Sequence, residues 1–168
     1  MHPIEHLIVA YVPIFCYALL KERRVPPLKL TGVIFIGSQF PDLIDKPLAL
    51  QFNWIPTGRV FMHSLPFAVP IWIIVSGYTW KTDRPHVGVS FTFAYFSHLI
   101  ADNYITLVAG RIPNDLIWPV LPPTPRPPVP YWVGPNSINL HLWTAFSTVV
   151  LVITTYYVIR DINLHLEC

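Results

Sequence analysis

Charge is what this sequence has least of. Twenty of its 168 residues are Asp, Glu, Lys or Arg, or 12% of the chain, about half the share of an ordinary soluble domain. The net charge of +2 is small, and no Lys/Arg cluster is interleaved with aromatics, so nothing marks a nucleic-acid partner. Cysteine is nearly absent. Cys16 and Cys168 are the only two, far apart, which excludes a CxxC redox motif, a zinc-finger spacing and a disulfide framework. With seven glycines there is no glycine-rich phosphate loop, and a GxSxG nucleophile elbow is missing as well. No internal repeat is visible. The opening MHPIEH has no basic run and no small-residue cleavage site follows, so Leu7–Leu20 is expected to be a retained helix.

What the chain has is apolar length. Hydrophobic residues make up 53% of it and mean hydropathy is +0.48, the composition of an integral membrane protein. Five apolar segments are predicted as helices, roughly Ile4–Leu20, Leu28–Phe40, Val60–Trp80, Val87–Ala109 and Leu140–Ile159. The expected fold is an all-α, polytopic membrane helix bundle of about five spans, in a single domain over residues 1–168. The second segment is short, covering only about 20 Å at 1.5 Å per residue. It ends where QFPDLIDKPLAL brings in Pro41 and two aspartates. A short or broken helix opening into a polar cavity is predicted there.

Loop charges orient the bundle. Lys21, Arg23, Arg24, Lys29, Lys81, Arg84 and Arg160 fall on one side, whereas Lys46, Arg59, Arg111 and Arg126 fall on the other. The positive-inside rule then puts the N-terminus outside and the C-terminus in the cytoplasm of a multi-pass protein of the cell membrane. Residues 118–136 contain WPVLPPTPRPPVPYWVGP, whose eight prolines favour an extended external connection. The same stretch can be read as a rim over a site, with Trp118, Tyr131 and Trp132 at headgroup level.

On this topology the ionisable residues gather in one leaflet. His6 starts the first segment, Asp42 and Asp45 follow the second, His63 opens the third, and His98 and Asp102 lie in the outward half of the fourth. Each charge near a helix centre costs about 2.5–3.5 kcal/mol on insertion scales. A divalent cation offsets that cost by neutralising carboxylates and using imidazole lone pairs. His98 and Asp102 are i,i+4; Asp42 and Asp45 are i,i+3; each pair shares a helix face. A mixed His/Asp set suits zinc first, then manganese or iron. Six ligands suffice for one ion, or for two sharing a bridging carboxylate. Plainer alternatives stand beside this. Asp42 can be a helix cap, Asp102 can pair with Arg59 or Arg111, and the whole can be a His–Asp–Arg hydrogen-bond network or an ion or proton pathway. His141 is within reach of the cluster at the start of the fifth segment. His2 is a weaker candidate, and His86 and His165 are expected to be solvated on the inner side.

The blocks EHLIVAY, GSQFPDLIDKPLA, GRVFMHSL, FSHLIAD and a following WP, in this order over about residues 5–120, resemble a known family. It is the small membrane-bound metal-dependent hydrolases described as LexA-binding and inner-membrane-associated (YdjM-like), and the FPDLIDKPLA and GR…HSL forms look most like the archaeal-type branch. The resemblance implies a metal site at His6, Asp42, Asp45, His63, His98 and Asp102. A more distant likeness to zinc-dependent phospholipase C and P1-type nucleases implies a phosphoester or lipid-linked substrate. The expected function is therefore a membrane-embedded hydrolase holding one or two divalent ions near the outer leaflet. His6 is expected as ligand or general acid/base, and Arg59 as a contact for a substrate oxyanion. The bilayer is the expected partner. The competing functions are an ion or proton transporter, and a non-catalytic membrane subunit built on the same cluster.

Overall fold

A computed structural model describes residues 3–125 and scattered helical positions between 145 and 160. The described residues form an all-α structure without strands. Helix α1 is Pro3–Tyr17, continued by one π-helical turn at Ala18–Glu22; α2 is Leu28–Leu50, α3 is Leu65–Lys81 and α4 is Pro85–Val108. A 3-10 turn at Asn114–Ile117 follows. Arg23, with φ 52°, ends the π turn in the left-handed region.

Helix α4 is the hub, packed against α1, α2 and α3, while α1 also packs on α2. Its sequence explains why. Phe91, Tyr95 and Leu99 recur every four residues and form one core with Ala68 and Leu116. Ala94 lies on a second face and joins Ala10, Tyr11 and Ile34 of α1 and α2. Continued by one and two turns, that second face reads His98 and Asp102. The α2–α4 contact is close because Gly37 has no side chain. A Cβ there would stand 2.8 Å from the Phe91 carbonyl oxygen and 3.1 Å from Ala94 Cβ.

Two expectations need correcting. The second segment is not broken at Pro41: α2 runs unbroken for 23 residues through Pro41 and Pro47, about 35 Å. A helical proline forfeits one backbone bond, but here both flanking neighbours, α1 and α4, brace the helix, and Pro41 is itself fully buried. The third helix begins at Leu65, not Val60, so His63 lies in the turn before it. The fifth segment and residues 126–136 lie largely or wholly outside the described residues.

Polarity is distributed inside out. Glu5, His6, Asp42, Asp45, His63 and His98 are buried, whereas Phe35, Ile36, Ile73, Ile74, Tyr78, Trp80, Ile105 and Val108 are exposed. By length and composition one helix, Ile4–Glu22, is sufficient to cross a membrane among the described residues. Helix α3, at 17 residues, is shorter, and α2 carries Lys29, Asp42, Asp45 and Lys46 within its length.

The α2–α4 contact makes a direct prediction. Gly37→Ala should push α4 away and cost about 1–3 kcal/mol, seen as a lower melting temperature in detergent. Gly32→Ala, with nothing within 4 Å of the added carbon, should be neutral or stabilising by up to about 1 kcal/mol. Equal behaviour of the two variants would remove the close approach as a constraint.

Candidate metal centre

The turn carrying His63 is held at both ends of one residue. Met62 N–H donates to Asp45 Oδ1 at 2.8 Å, and the Met62 carbonyl accepts from the Tyr95 hydroxyl at 2.6 Å. Thus α2 and α4 together fix the turn between α2 and α3. The Trp118 ring lies against Phe67 and Phe61, with centroids 5.7 and 6.5 Å away. The buried carboxylate of Asp115 accepts from Thr124 N–H at 2.8 Å. The start of the proline-rich stretch is thereby folded back over the entrance of α3.

Each imidazole is oriented through Nδ1. His63 Nδ1 is 2.8 Å from Asp45 Oδ2, and His98 Nδ1 is 2.5 Å from the Ser38 carbonyl oxygen. A carbonyl only accepts, as does an ionised carboxylate, so both Nδ1 atoms carry the proton. Neutral rings then present bare lone pairs at Nε2. These two Nε2 atoms face each other at 3.1 Å, which requires a shared proton or a cation between them.

Two carboxylates complete the group. His63 Nε2 is 3.5 Å from both Asp42 Oδ1 and Asp102 Oδ2, while His98 Nε2 is 3.9 and 3.8 Å from the same atoms. The four ligand atoms all lie within 4.8 Å of one another, and the four residues form a cluster able to hold a metal ion. Ligands at the usual zinc distance of about 2.0–2.1 Å stand about 3.4 Å apart at the corners of a tetrahedron. The observed separations of 3.1 to 3.9 Å bracket that edge. The fit has a second sign: Asp42 Oδ1 is buried with no hydrogen-bond partner, a costly state unless something cationic meets it.

The six sequence candidates therefore divide. Asp42, His63, His98 and Asp102 come together at one point. Asp45, fully buried, stands behind His63 and takes its Nδ1 proton, besides accepting from Met62 and His63 backbone N–H groups at 2.8 and 3.3 Å. His6 is on the far side of Asp102, with Nε2 3.3 Å from Oδ1, and its ring stacks on His98. Arg59 Nε is 3.2 Å from Asp102 Oδ2, which decides its pairing in favour of Arg59 over Arg111. His86 is exposed at the start of α4. His2, His141 and His165 lie outside the described residues.

Sequence reasoning passed over Lys46, whose Nζ is 2.6 Å from Asp42 Oδ2. Its spacing of i,i+4 from Asp42 was the available signal. It also passed over Tyr95, one turn before His98, and buried Glu5, one residue before His6. The Ser38 carbonyl had no signal at all, since any residue supplies one.

Fold and site together define a helical protein with an inside-out polarity and a buried His/Asp cluster at metal-ligand spacing. The comparison with known families places it further. A family described as YdjM inner membrane protein matches residues 1–163, and the chain belongs to that family of membrane proteins. No curated relative and no solved structure matches it.

Proposed function

We propose that the protein is a metal-dependent hydrolase whose ion is held by Asp42, His63, His98 and Asp102. The facing Nε2 atoms of His63 and His98, 3.1 Å apart with both Nδ1 positions committed, carry this reading. A divalent ion held there acidifies bound water to supply a nucleophile near neutral pH and polarises a carbonyl or phosphoryl oxygen; zinc suits the ligand set, with manganese or iron next. The residues around it have separate tasks. Asp45 and the Ser38 carbonyl orient the two imidazoles and leave Nε2 of each as the ligand atom. Lys46 holds Asp42 by Oδ2, leaving Oδ1 for the site.

Arg59 engages Asp102 through Nε, leaving its terminal amino groups for an oxyanion. Its side chain is 32% exposed, so a substrate can reach it. Such a planar donor pair matches a phosphate or carboxylate. Phe52 and Trp54, exposed on the same connection between α2 and α3, have ring centroids 5.1 Å apart, an apolar surface suited to the tail of an amphiphile. A phosphoester or lipid-linked substrate follows from these two features. Transport is the weaker function. Towards the other end, the α3–α4 contact offers hydroxyls such as Ser76 and Thr92, 3.3 Å apart, and no ionisable relay among the described residues.

We also place the protein across the membrane several times, with the 51–64 connection and the site outside and the 21–27 connection inside. Exposed apolar side chains on α2, α3 and α4 and the loop charges support this orientation.

Three outcomes test these statements. Purified protein should bind zinc and hydrolyse bis(p-nitrophenyl) phosphate or a phospholipid in mixed micelles. Asp42→Asn and His98→Ala should lose bound metal and lower turnover by at least about 100-fold; full turnover by chelator-treated, metal-free protein sinks the reading. Asp45→Asn should keep the metal but weaken zinc affinity about 10–100-fold, measured by competition with a chromogenic chelator. In intact cells, a cysteine placed at Trp54 should react with an impermeant maleimide while one at Arg24 should not; the reverse pattern inverts the topology.

A further inference from the structure

Asp102 uses its two oxygens in different directions. Oδ2 faces His63, His98 and Arg59, at 3.5, 3.8 and 3.2 Å. Oδ1 faces His6 Nε2 at 3.3 Å. That distance again equals the edge between two ligands on one ion, about 3.4 Å for metal–ligand bonds near 2.0–2.1 Å. The contact is an ion pair without the alignment of a good hydrogen bond, and His6 Nδ1 has no partner at all, although the side chain is 1% exposed. A buried ring nitrogen left without a hydrogen bond costs about 1–3 kcal/mol. The fold keeps it there nonetheless, on α1, across from α4.

The ring positions add an independent observation. His6 stacks on His98 with centroids 3.8 Å apart and planes inclined by 23°. Two-metal hydrolytic sites hold their ions about 3.5–4 Å apart. Stacked imidazoles, each directed to its own ion, keep that spacing, and a carboxylate between them bridges through its two oxygens. The distances among His6, Asp102 and His98 meet these requirements.

We propose that a second divalent cation binds between His6 Nε2 and Asp102 Oδ1, with Asp102 bridging it to the ion of the four-residue cluster. The proposal rests on the metal reading of that cluster. Two protein ligands leave most of the second coordination sphere to water or substrate, so this ion is the more weakly held. It would face one oxygen of a bound phosphoester while the first ion faces another, a clamp for an in-line displacement. This gives His6 a ligand's task instead of a proton donor's.

The test uses the whole protein in detergent, loaded with zinc and desalted, with metal counted per chain by elemental analysis. Two ions in the wild type and one in His6→Ala are expected, with zinc affinity at the remaining site changed less than about threefold. Loading with manganese should give a spin-coupled pair by electron paramagnetic resonance in the wild type and an uncoupled signal in His6→Ala. One ion in the wild type, or two in His6→Ala, overturns the second site and leaves His6 as an ion-pair partner of Asp102. No ion in the wild type overturns the metal reading as a whole, a separate outcome. If His6→Ala does not fold, the wild-type stoichiometry and spin coupling decide alone, and an uncoupled wild-type signal counts against the proposal.

Discussion

Two histidine Nε2 atoms held 3.1 Å apart in a buried space, a contact that only a shared proton or a cation makes favourable, are the constraint on which the rest of the structure turns. Neither ring can rotate away. His63 is tied to Asp45 on α2, and His98 to the Ser38 carbonyl, also on α2. Lone pairs and carboxylate oxygens aimed at one another repel until a proton or cation joins them. Asp42, Asp45 and Asp102 bring three negative charges to the cluster, and Lys46 and Arg59 bring two positive ones. A divalent ion bound there would reverse the remaining imbalance.

Holding such a cluster needs rigid neighbours, and the helices supply them. Gly37 lets α2 approach α4 closely enough for the adjacent Ser38 carbonyl to reach His98. One turn further, the same helix offers Asp42 and Asp45 on one face. Tyr95 serves two purposes: its ring packs the core with Phe91 and Leu99, and its hydroxyl holds the turn that carries His63. The apolar core and the polar site are therefore one construction. A change in the first is felt in the second, because close-packed interiors transmit displacement.

Much of the site was legible in the residues. Spacing places His98 and Asp102 on one face of a long apolar helix, and the same reasoning pairs Asp42 with Asp45. What periodicity does not say is which side of a histidine a carboxylate approaches. Asp45 and Asp42 look alike in the sequence, yet one stands behind His63 and the other in front of it. Pro41 misled for a local reason. Its missing N–H argues for a break, but packing against two neighbouring helices keeps α2 continuous. Lys46 looks like a loop charge in the sequence because the apolar run ends before it, whereas α2 continues to Leu50.

By composition and order of residues alone, the chain is committed to helices, to an apolar exterior and to a set of imidazoles and carboxylates concentrated towards one end. Those properties are local, set by hydropathy, by period and by the cost of charge in hydrocarbon. Only the tertiary structure decides who faces whom. The gathering of Asp42, His63, His98 and Asp102, the orienting contacts from Asp45 and Ser38, and the position of His6 across Asp102 arise where four segments meet. Whether a carboxylate of α2 meets Nδ1 or Nε2 of His63 depends on where the turn before α3 stands against that helix, and no pattern along a single helix contains that placement.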